Sequence, residues 1–428
     1  MPDGTHSYEV GVVGAGYVGL TSAACLAHLG HRVTCVDVDG EKVARLRRAD
    51  VPIEEPGLPA LVGEGLGRGV LRFSTEFADL AGTDAVLLCV PTPTGDDGGA
   101  DLRAFDRALG ALARTPRTGV VVVKSTVPVG TTARTQRELG RPAVSNPEFL
   151  REGHAVHDFL HPDRIVVGGT DPAAAELVAR LYAGLDAPVL RTAPASAELA
   201  KYASNAFLAL KVSYVNVLAE LCERYGADIG EVTGTMGRDD RIGGAFLAPG
   251  PGWGGSCLPK DTRALLRAAD DAGVDFAVLD GAVAANAHQR ERVVTKVREA
   301  VTGSPHGSLR GARVGLLGLT FKAGTDDVRE SPAVAVAHRL AAAGAHLTGY
   351  DPGASGPVDG VQLVDDPVLV AKDAACIVLL TEWPQFRELD WPQLAGLAEQ
   401  ATVVDCRNLL DPAALAEAGF GYRGLGRS

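Results

Sequence analysis

Cys257 opens the chemical reading of this 428-residue chain, because it sits in the run Gly254-Gly255-Ser256-Cys257-Leu258-Pro259-Lys260-Asp261. Pro259 suits the first turn of a helix, where its missing N–H leaves no bond unmade. Residues 261–269, rich in Ala, Leu and Arg, continue as that helix. A thiol at a helix N-terminus beside a lysine ionises below its free value of about 8.5, and a thiolate is a nucleophile. Asp261 follows four residues on and shares the thiol's face if the turn is helical. A lone cysteine on a glycine loop is ordinarily a small buried hydrophobe, so the rest of the chain has to decide between the two.

The elements that would place this thiol begin at the N-terminus. An apolar run, Tyr8–Val13, ends in Gly14-Ala15-Gly16-Tyr17-Val18-Gly19; a helical stretch runs to about Leu29, and a strand, Arg32–Val36, ends at Asp37. In that order the glycine pattern marks a dinucleotide turn, with the pyrophosphate resting on the helix N-terminus. Asp37 is placed to accept hydrogen bonds from the adenosine ribose and would repel a 2′-phosphate, which favours NAD over NADP. Strands at Ala85–Val90, Val120–Lys124, Ala143–Ser145 and Arg164–Gly168 follow, then a helix from Pro172 to Leu185. The first three of these strands end in polar loops bearing Thr92, Thr126 and Glu148, at the strand ends where parallel sheets bind ligands.

Residues 196–225 hold no Pro or Gly and few charges, which reads as a long helix too apolar to face water all round. Thr302–Gly311 reads as a linker. Beyond it the first pattern returns: strand Arg313–Leu317, turn Gly318–Lys322, helix Ser331–Ala343, strand His346–Tyr350 and Asp351, with later strands at Cys376–Leu380 and Thr402–Asp405. The expected fold is α/β, two Rossmann-like doubly wound domains joined by a long central helix. The expected divisions are 1–193 for the NAD-binding domain, 194–301 for the central helical domain with the cysteine, and 302–428 for the second nucleotide fold.

Composition narrows the function classes. A net charge of −12 gives no support for nucleic-acid or anionic-membrane binding, and hydrophobic residues at 46% with charged ones at 22% are ordinary for a globular chain. No uninterrupted apolar run approaches the roughly 18 residues of a membrane span, and the first nine residues lack a secretion-signal pattern. The seven cysteines form no CxxC pair and are odd in number, so a disulfide framework is not expected. A cytoplasmic enzyme follows as the expectation. His154, His157 and His161 lack an HExxH arrangement, so no metal site is expected.

Taken together, GAGYVGL, KSTVPVGTT, NPEFLREG, the Lys201–Asn205 helix segment, GGSCLPKD and FKAGTDDVRESP resemble the nucleotide-sugar dehydrogenases, the UDP-glucose/GDP-mannose dehydrogenase family, from Val10 to about Asp405. The resemblance implies a four-electron oxidation of a sugar nucleotide's primary alcohol to a carboxylate, with two NAD reduced. UDP-glucose is the expected substrate and a homodimer through the 196–225 helix the expected assembly. By that resemblance Cys257 forms a thiohemiacetal and then a thioester. Asp261 activates water or tunes the thiol, Lys201 and Asn205 face the developing oxyanion, and Thr126 and Glu148 position water and assist proton transfer. Tyr17, Val18, Asp37, Lys42, Thr92, Thr126, Glu152, Lys260 and Arg329 join Gly14, Gly16 and Gly19 around the cofactor. The sugar nucleotide falls to Glu148, Phe149, Leu150, Arg151 and Glu152, to Lys201 and Asn205, to Phe246, Leu247, Ala248, Pro249, Gly250 and Gly254, and to Lys322. Arg241 resembles a family arginine that reaches the nucleotide of the neighbouring subunit, and a forked guanidinium suits phosphate.

Two departures from the family pattern stand out: Glu54 replaces a frequent aromatic residue in Glu54-Glu55-Pro56-Gly57, and proline flanks Thr92. GDP-mannose and dTDP-glucose remain alternative substrates. A two-electron hydroxyacid dehydrogenase would explain the first fold without needing Cys257. A non-catalytic NAD-binding regulator would explain both folds and leave Cys257, Lys201 and Asp261 without a purpose.

Overall fold

The computed structural model describes residues 6–116, 118–354 and 356–427. Two compact units divide the chain: residues 1–204 with 263–273, and residues 205–262 with 274–428. The division falls inside two continuous helices, Pro194–Tyr225 and Leu258–Asp271.

The first unit is built on an eight-stranded sheet. Its strands are β1 (Glu9–Val13), β2 (Arg32–Val36), β3 (Leu71–Ser74), β4 (Ala85–Leu88), β5 (Val120–Val123), β6 (Ala143–Ser145), β7 (Ile165–Gly169) and β8 (Val189–Thr192). They lie in the order β3-β2-β1-β4-β5-β6-β7-β8, parallel except where β7 runs against β6. The central strands β4 (AVLL) and β5 (VVVV) are wholly buried, because helices cover both faces of a parallel sheet and leave no face for polar residues. Parallel pairing brings the carboxyl ends of β1, β2, β4, β5 and β6 to one edge. Gly14–Gly19, Asp37, Thr92, Thr126 and Glu148 all emerge there.

The second unit carries a six-stranded parallel sheet: β9 (Arg313–Leu317), β10 (His346–Tyr350), β11 (Val361–Leu363), β12 (Cys376–Leu379), β13 (Thr402–Asp405) and β14 (Gly421–Gly424). Its order, β11-β10-β9-β12-β13-β14, repeats the 3-2-1-4-5-6 pattern of a dinucleotide fold. The expected doubly wound architecture with a long central helix is therefore present. The strands absent from the sequence reading, β3, β8, β11 and β14, are three or four residues long and lie at the sheet edges. Half-exposed edge strands lack the apolar run that identifies a central one.

The helix Ala277–Thr302 packs in the second unit beside the C-terminal part of the Pro194–Tyr225 helix. Ser213 donates to the carbonyl of Ala282 at 2.7 Å, and Arg292 reaches Glu223 at 3.0 Å. By length and composition Pro194–Tyr225 is apolar enough to cross a membrane, yet its polar side chains find partners within the protein, as a core helix requires.

Candidate active site

The dinucleotide turn is held from below. Gly14 N–H donates to the Val36 carbonyl at 2.7 Å, and Ala15 N–H donates to Asp37 Oδ2 at 2.7 Å. The Lys42 ammonium lies 3.3 Å from that oxygen. A Cβ on Gly19 would stand 1.8 Å from the Gly14 carbonyl, so only glycine lets the helix Tyr17–His28 start this close to β1. A Cβ on Gly16, by contrast, would enter open space. That vacant side of a helix N-terminus is the cradle a pyrophosphate needs, and the residues present fit NAD. Replacing Asp37 with Ala should raise the dissociation constant for NADH by about tenfold, the worth of one charge-assisted hydrogen bond. A sugar nucleotide should be affected less than threefold on that scale. Titration calorimetry with each ligand checks both, and equal losses would mean a general collapse of the fold.

The neighbouring strand ends are tied to each other. Thr92 Oγ1 donates to the Thr126 carbonyl at 2.7 Å, and Ser125 Oγ donates to the Val90 carbonyl at 2.7 Å. After β6 the chain enters Asn146–Gly153, where Glu148 is buried and paired with Lys201 Nζ at 2.9 Å. Leu150 N–H adds a bond of 2.7 Å to the other carboxylate oxygen. Burial alone would raise the proton affinity of Glu148. The Lys201 ammonium, the Leu150 N–H and the charge of buried Lys124 outweigh it and hold the carboxyl below its ordinary range. Phe149 lies beneath two cations, with the Arg164 guanidinium 3.9 Å and the Lys201 ammonium 5.3 Å from its ring centre. Arg151 turns to Asp158, at 2.6 Å. Glu198, three residues before Lys201, accepts the N–H groups of Gly130 and Thr132 at 2.6 and 2.7 Å. It thereby caps the helix Thr131–Leu139 and fixes Lys201 relative to the Thr126 loop.

In the second unit a set of buried amides sets the course of the loop before Cys257. Gly250 N–H donates to Asn216 Oδ1 at 2.9 Å, and Gln289 Nε2 donates to the Gly250 carbonyl at 2.7 Å. Asn286 accepts Trp253 N–H at 2.8 Å, and Trp253 Nε1 donates to Ser213 Oγ at 2.8 Å. Gly255 has φ +83°, and a Cβ there would meet the Phe321 ring at 2.8 Å. The glycine loop is thus pressed against the segment that bears Lys322, whose ammonium lies over the Phe321 ring.

Cys257 immediately precedes the helix Leu258–Asp271, and its carbonyl accepts Asp261 N–H at 2.9 Å. Of the seven cysteines it alone is exposed. Burial pushes Cys25, Cys89 and Cys376 up to about 12, which leaves them protonated and inert at neutral pH. Asp261 is 1% exposed, and both its oxygens are engaged: Asn205 Nδ2 donates at 2.6 Å and Lys260 Nζ at 2.5 Å. The structure thus brings Asp261, Asn205 and Lys260 together.

Other expected residues are spread more widely. Arg329 pairs with Asp327 at 2.7 Å, and Arg241 with Asp239 at 2.6 Å in an exposed loop. Leu247 is buried in a small core with Val215 and Ile229, while Phe246, at φ +61°, remains partly exposed. Arg407, absent from the sequence reading, reaches this region from the end of β13. It donates to the Phe321 carbonyl at 3.2 Å, and a Cβ on Gly250 would lie 3.0 Å from its guanidinium. Its only sequence signal was its place just past an Asp-terminated strand of the second fold. Among the described residues no group of three or more His, Cys, Asp or Glu side chains is arranged to hold a metal ion.

Comparison with known proteins places this geometry. Family models match in succession: the UDP-glucose/GDP-mannose dehydrogenase NAD binding domain over residues 8–186, the central domain over 195–288 and the UDP binding domain over 315–412. A UDP-glucose 6-dehydrogenase of Rhizobium meliloti is 42% identical, with 98% of this chain and 99% of the relative covered. One from Pseudomonas aeruginosa is 43% identical, with 97% of each covered. The structure of a UDP-glucose dehydrogenase from Pyrobaculum islandicum superposes with a TM-score of 0.90 at 40% identity, covering 100% of both chains. With all three family domains in order and such relatives matched end to end, the chain belongs to the UDP-glucose/GDP-mannose dehydrogenase family and is an NAD-dependent dehydrogenase.

Proposed function

We propose that this chain oxidises UDP-glucose to UDP-glucuronate in four electrons through a covalent intermediate on Cys257. The observation that carries the reading is that the single exposed thiol of seven stands at the N-terminus of the Leu258–Asp271 helix, on a loop fixed by buried amides. The relatives supply the substrate by name.

When bound, NAD accepts a hydride in each of two oxidations, so the sum is alcohol plus two NAD⁺ plus water giving carboxylate, two NADH and three protons. The chain's residues supply the rest. The Cys257 thiolate adds to the aldehyde carbon, and the resulting thiohemiacetal again carries a C–H bond to be oxidised. Loss of that hydride leaves a thioester, and water attacks it to return the thiol and the carboxylate. The Lys201 ammonium stabilises oxyanions at the reacting carbon, and Glu148, kept ionised, takes the proton of the attacking water with Thr126 positioning it. Asp261, held by Asn205 and Lys260, anchors the first turn of the cysteine helix. Arg407 joins Lys322 and the 246–250 loop in binding the nucleotide sugar.

The reading includes the 1–193, 194–301 and 302–428 divisions and a homodimer. Phe207, Tyr214, Val217 and Leu221 project from one side of the long helix with exposures of 43–61%, an apolar stripe that a second copy would cover. Free thiols suit a reducing cytoplasm.

Incubation with limiting UDP-glucose and excess NAD should release two NADH per sugar, read by absorbance against UDP-glucuronate formed. One NADH per sugar would return the reaction to a two-electron alcohol dehydrogenase. GDP-mannose and dTDP-glucose in parallel decide the nucleotide.

A further inference from the structure

Glu55 lies in the first unit just ahead of the helix Leu58–Gly67, and no step above uses it. Its side chain is buried, and its carboxylate collects donors from two separate segments. Tyr17, the residue after Gly16 in the dinucleotide turn, donates its hydroxyl to Glu55 Oε2. Gly153 N–H, at the end of the Glu148–Gly153 segment, lies 2.8 Å from the same oxygen and 2.6 Å from the Tyr17 hydroxyl oxygen. Val156 N–H approaches Oε1 at 3.3 Å. Burial first, and Glu55 second, push the Tyr17 phenol above its ordinary value, so it keeps its proton and remains a donor at neutral pH. The opposite end of the segment is secured independently, by the Lys201 bond to Glu148. The four residues between are therefore pinned at one end to the long helix and at the other to the cofactor turn.

We propose that Glu55 is a positioning residue that couples the two ligands: its carboxylate joins the Tyr17 hydroxyl of the dinucleotide turn to the backbone of the Glu148–Gly153 segment, so that a ligand ordering one orders the other. This rests on the reading that the segment holds the sugar nucleotide. Order already imposed by the first ligand lowers the entropy cost of the second.

The test measures UDP-glucose binding by calorimetry with and without saturating NADH, which cannot accept a hydride and keeps the complex unreactive. In the unaltered chain NADH should tighten UDP-glucose about fivefold or more. In Tyr17→Phe, which keeps the ring and removes the hydroxyl, the factor, measured with NADH raised to saturate that variant, should fall below about twofold. Glu55→Met should behave alike, because it removes both acceptor oxygens; should it fail to fold, Tyr17→Phe carries the test. An unchanged factor in Tyr17→Phe overturns the proposal. Loss of NADH binding in that variant does so too, because the hydroxyl would then belong to the cofactor site itself. If the unaltered chain binds UDP-glucose without coupling to NADH, this inference alone falls; if it does not bind UDP-glucose, the substrate reading falls and takes this inference with it.

Discussion

Cys257→Ser will abolish UDP-glucuronate formation, with turnover to the acid reduced by at least about a thousandfold, while UDP-glucose and NADH each bind as before. A serine hydroxyl is far less nucleophilic than a thiolate at neutral pH, so the aldehyde is not captured and the second oxidation lacks the tetrahedral adduct from which a hydride can leave. Binding should survive because the surrounding loop is fixed by Asn216, Asn286, Gln289 and Ser213 through their bonds to Gly250 and Trp253. Product analysis by chromatography and calorimetry for each ligand check the two halves. Acid formation at wild-type rate in the variant would remove the covalent mechanism.

Lys201→Met should carry the second-largest effect, on rate and on stability together. On the proposed mechanism it withdraws the ammonium that stabilises the oxyanion, and loss of one oxyanion donor typically costs about 10²–10³ in kcat. It also leaves Glu148 buried without its partner, and breaking a buried pair from one side costs about 3–5 kcal/mol. In the native protein the depressed proton affinity of Glu148 contributes stability above the unfolded carboxylate value of about 4.3, and this is lost as pH falls through the lower folded value. Without Lys201, burial governs and the proton affinity of Glu148 rises above the unfolded value. The variant is then penalised at neutral pH, and the penalty eases as acid protonates Glu148. Urea midpoints of the two proteins should therefore lie far apart at neutral pH and converge toward acid. Adding Glu148→Gln to the variant should recover part of the loss, since a neutral amide costs less to bury than a lone charge. A constant gap across pH, with kcat unaltered, would show that the pair has neither role.

The family, the cofactor and the place of Cys257 at a helix N-terminus were legible from the chain alone, as were both nucleotide folds. Every signal behind them is short-range: a glycine turn between an apolar strand and a helix, an aspartate at a strand end, a proline one residue into a helix. Those features act within a few residues, where backbone sterics and hydrogen bonding decide the outcome. Edge strands β8, β11 and β14 went unread because partial exposure removes their apolar pattern, and β3 because only two of its four residues, Leu71 and Phe73, are apolar. The helix Ala277–Thr302 was also missed; its apolar stripe is diluted by exposed Val278, Ala284 and Ala287.

Side-chain partnerships across the sheet edge were a different matter. The sequence could nominate Glu148, Lys201, Asn205 and Asp261 for the chemistry and Lys260 for the cofactor. It could not say that Glu148 takes Lys201, or that Asp261 is shared between Asn205 and Lys260, since Asn205 and Asp261 stand 56 positions apart. Glu55 and Gly153 are separated by 98 positions, and Arg407 and Phe321 by 86. Composition and spacing thus determined which local elements and which chemical groups this protein has. Only the tertiary structure decided which of those groups meet, because a buried charge takes whatever donor the packed chain brings within about 3 Å, and that choice is made by folding rather than by neighbours in sequence.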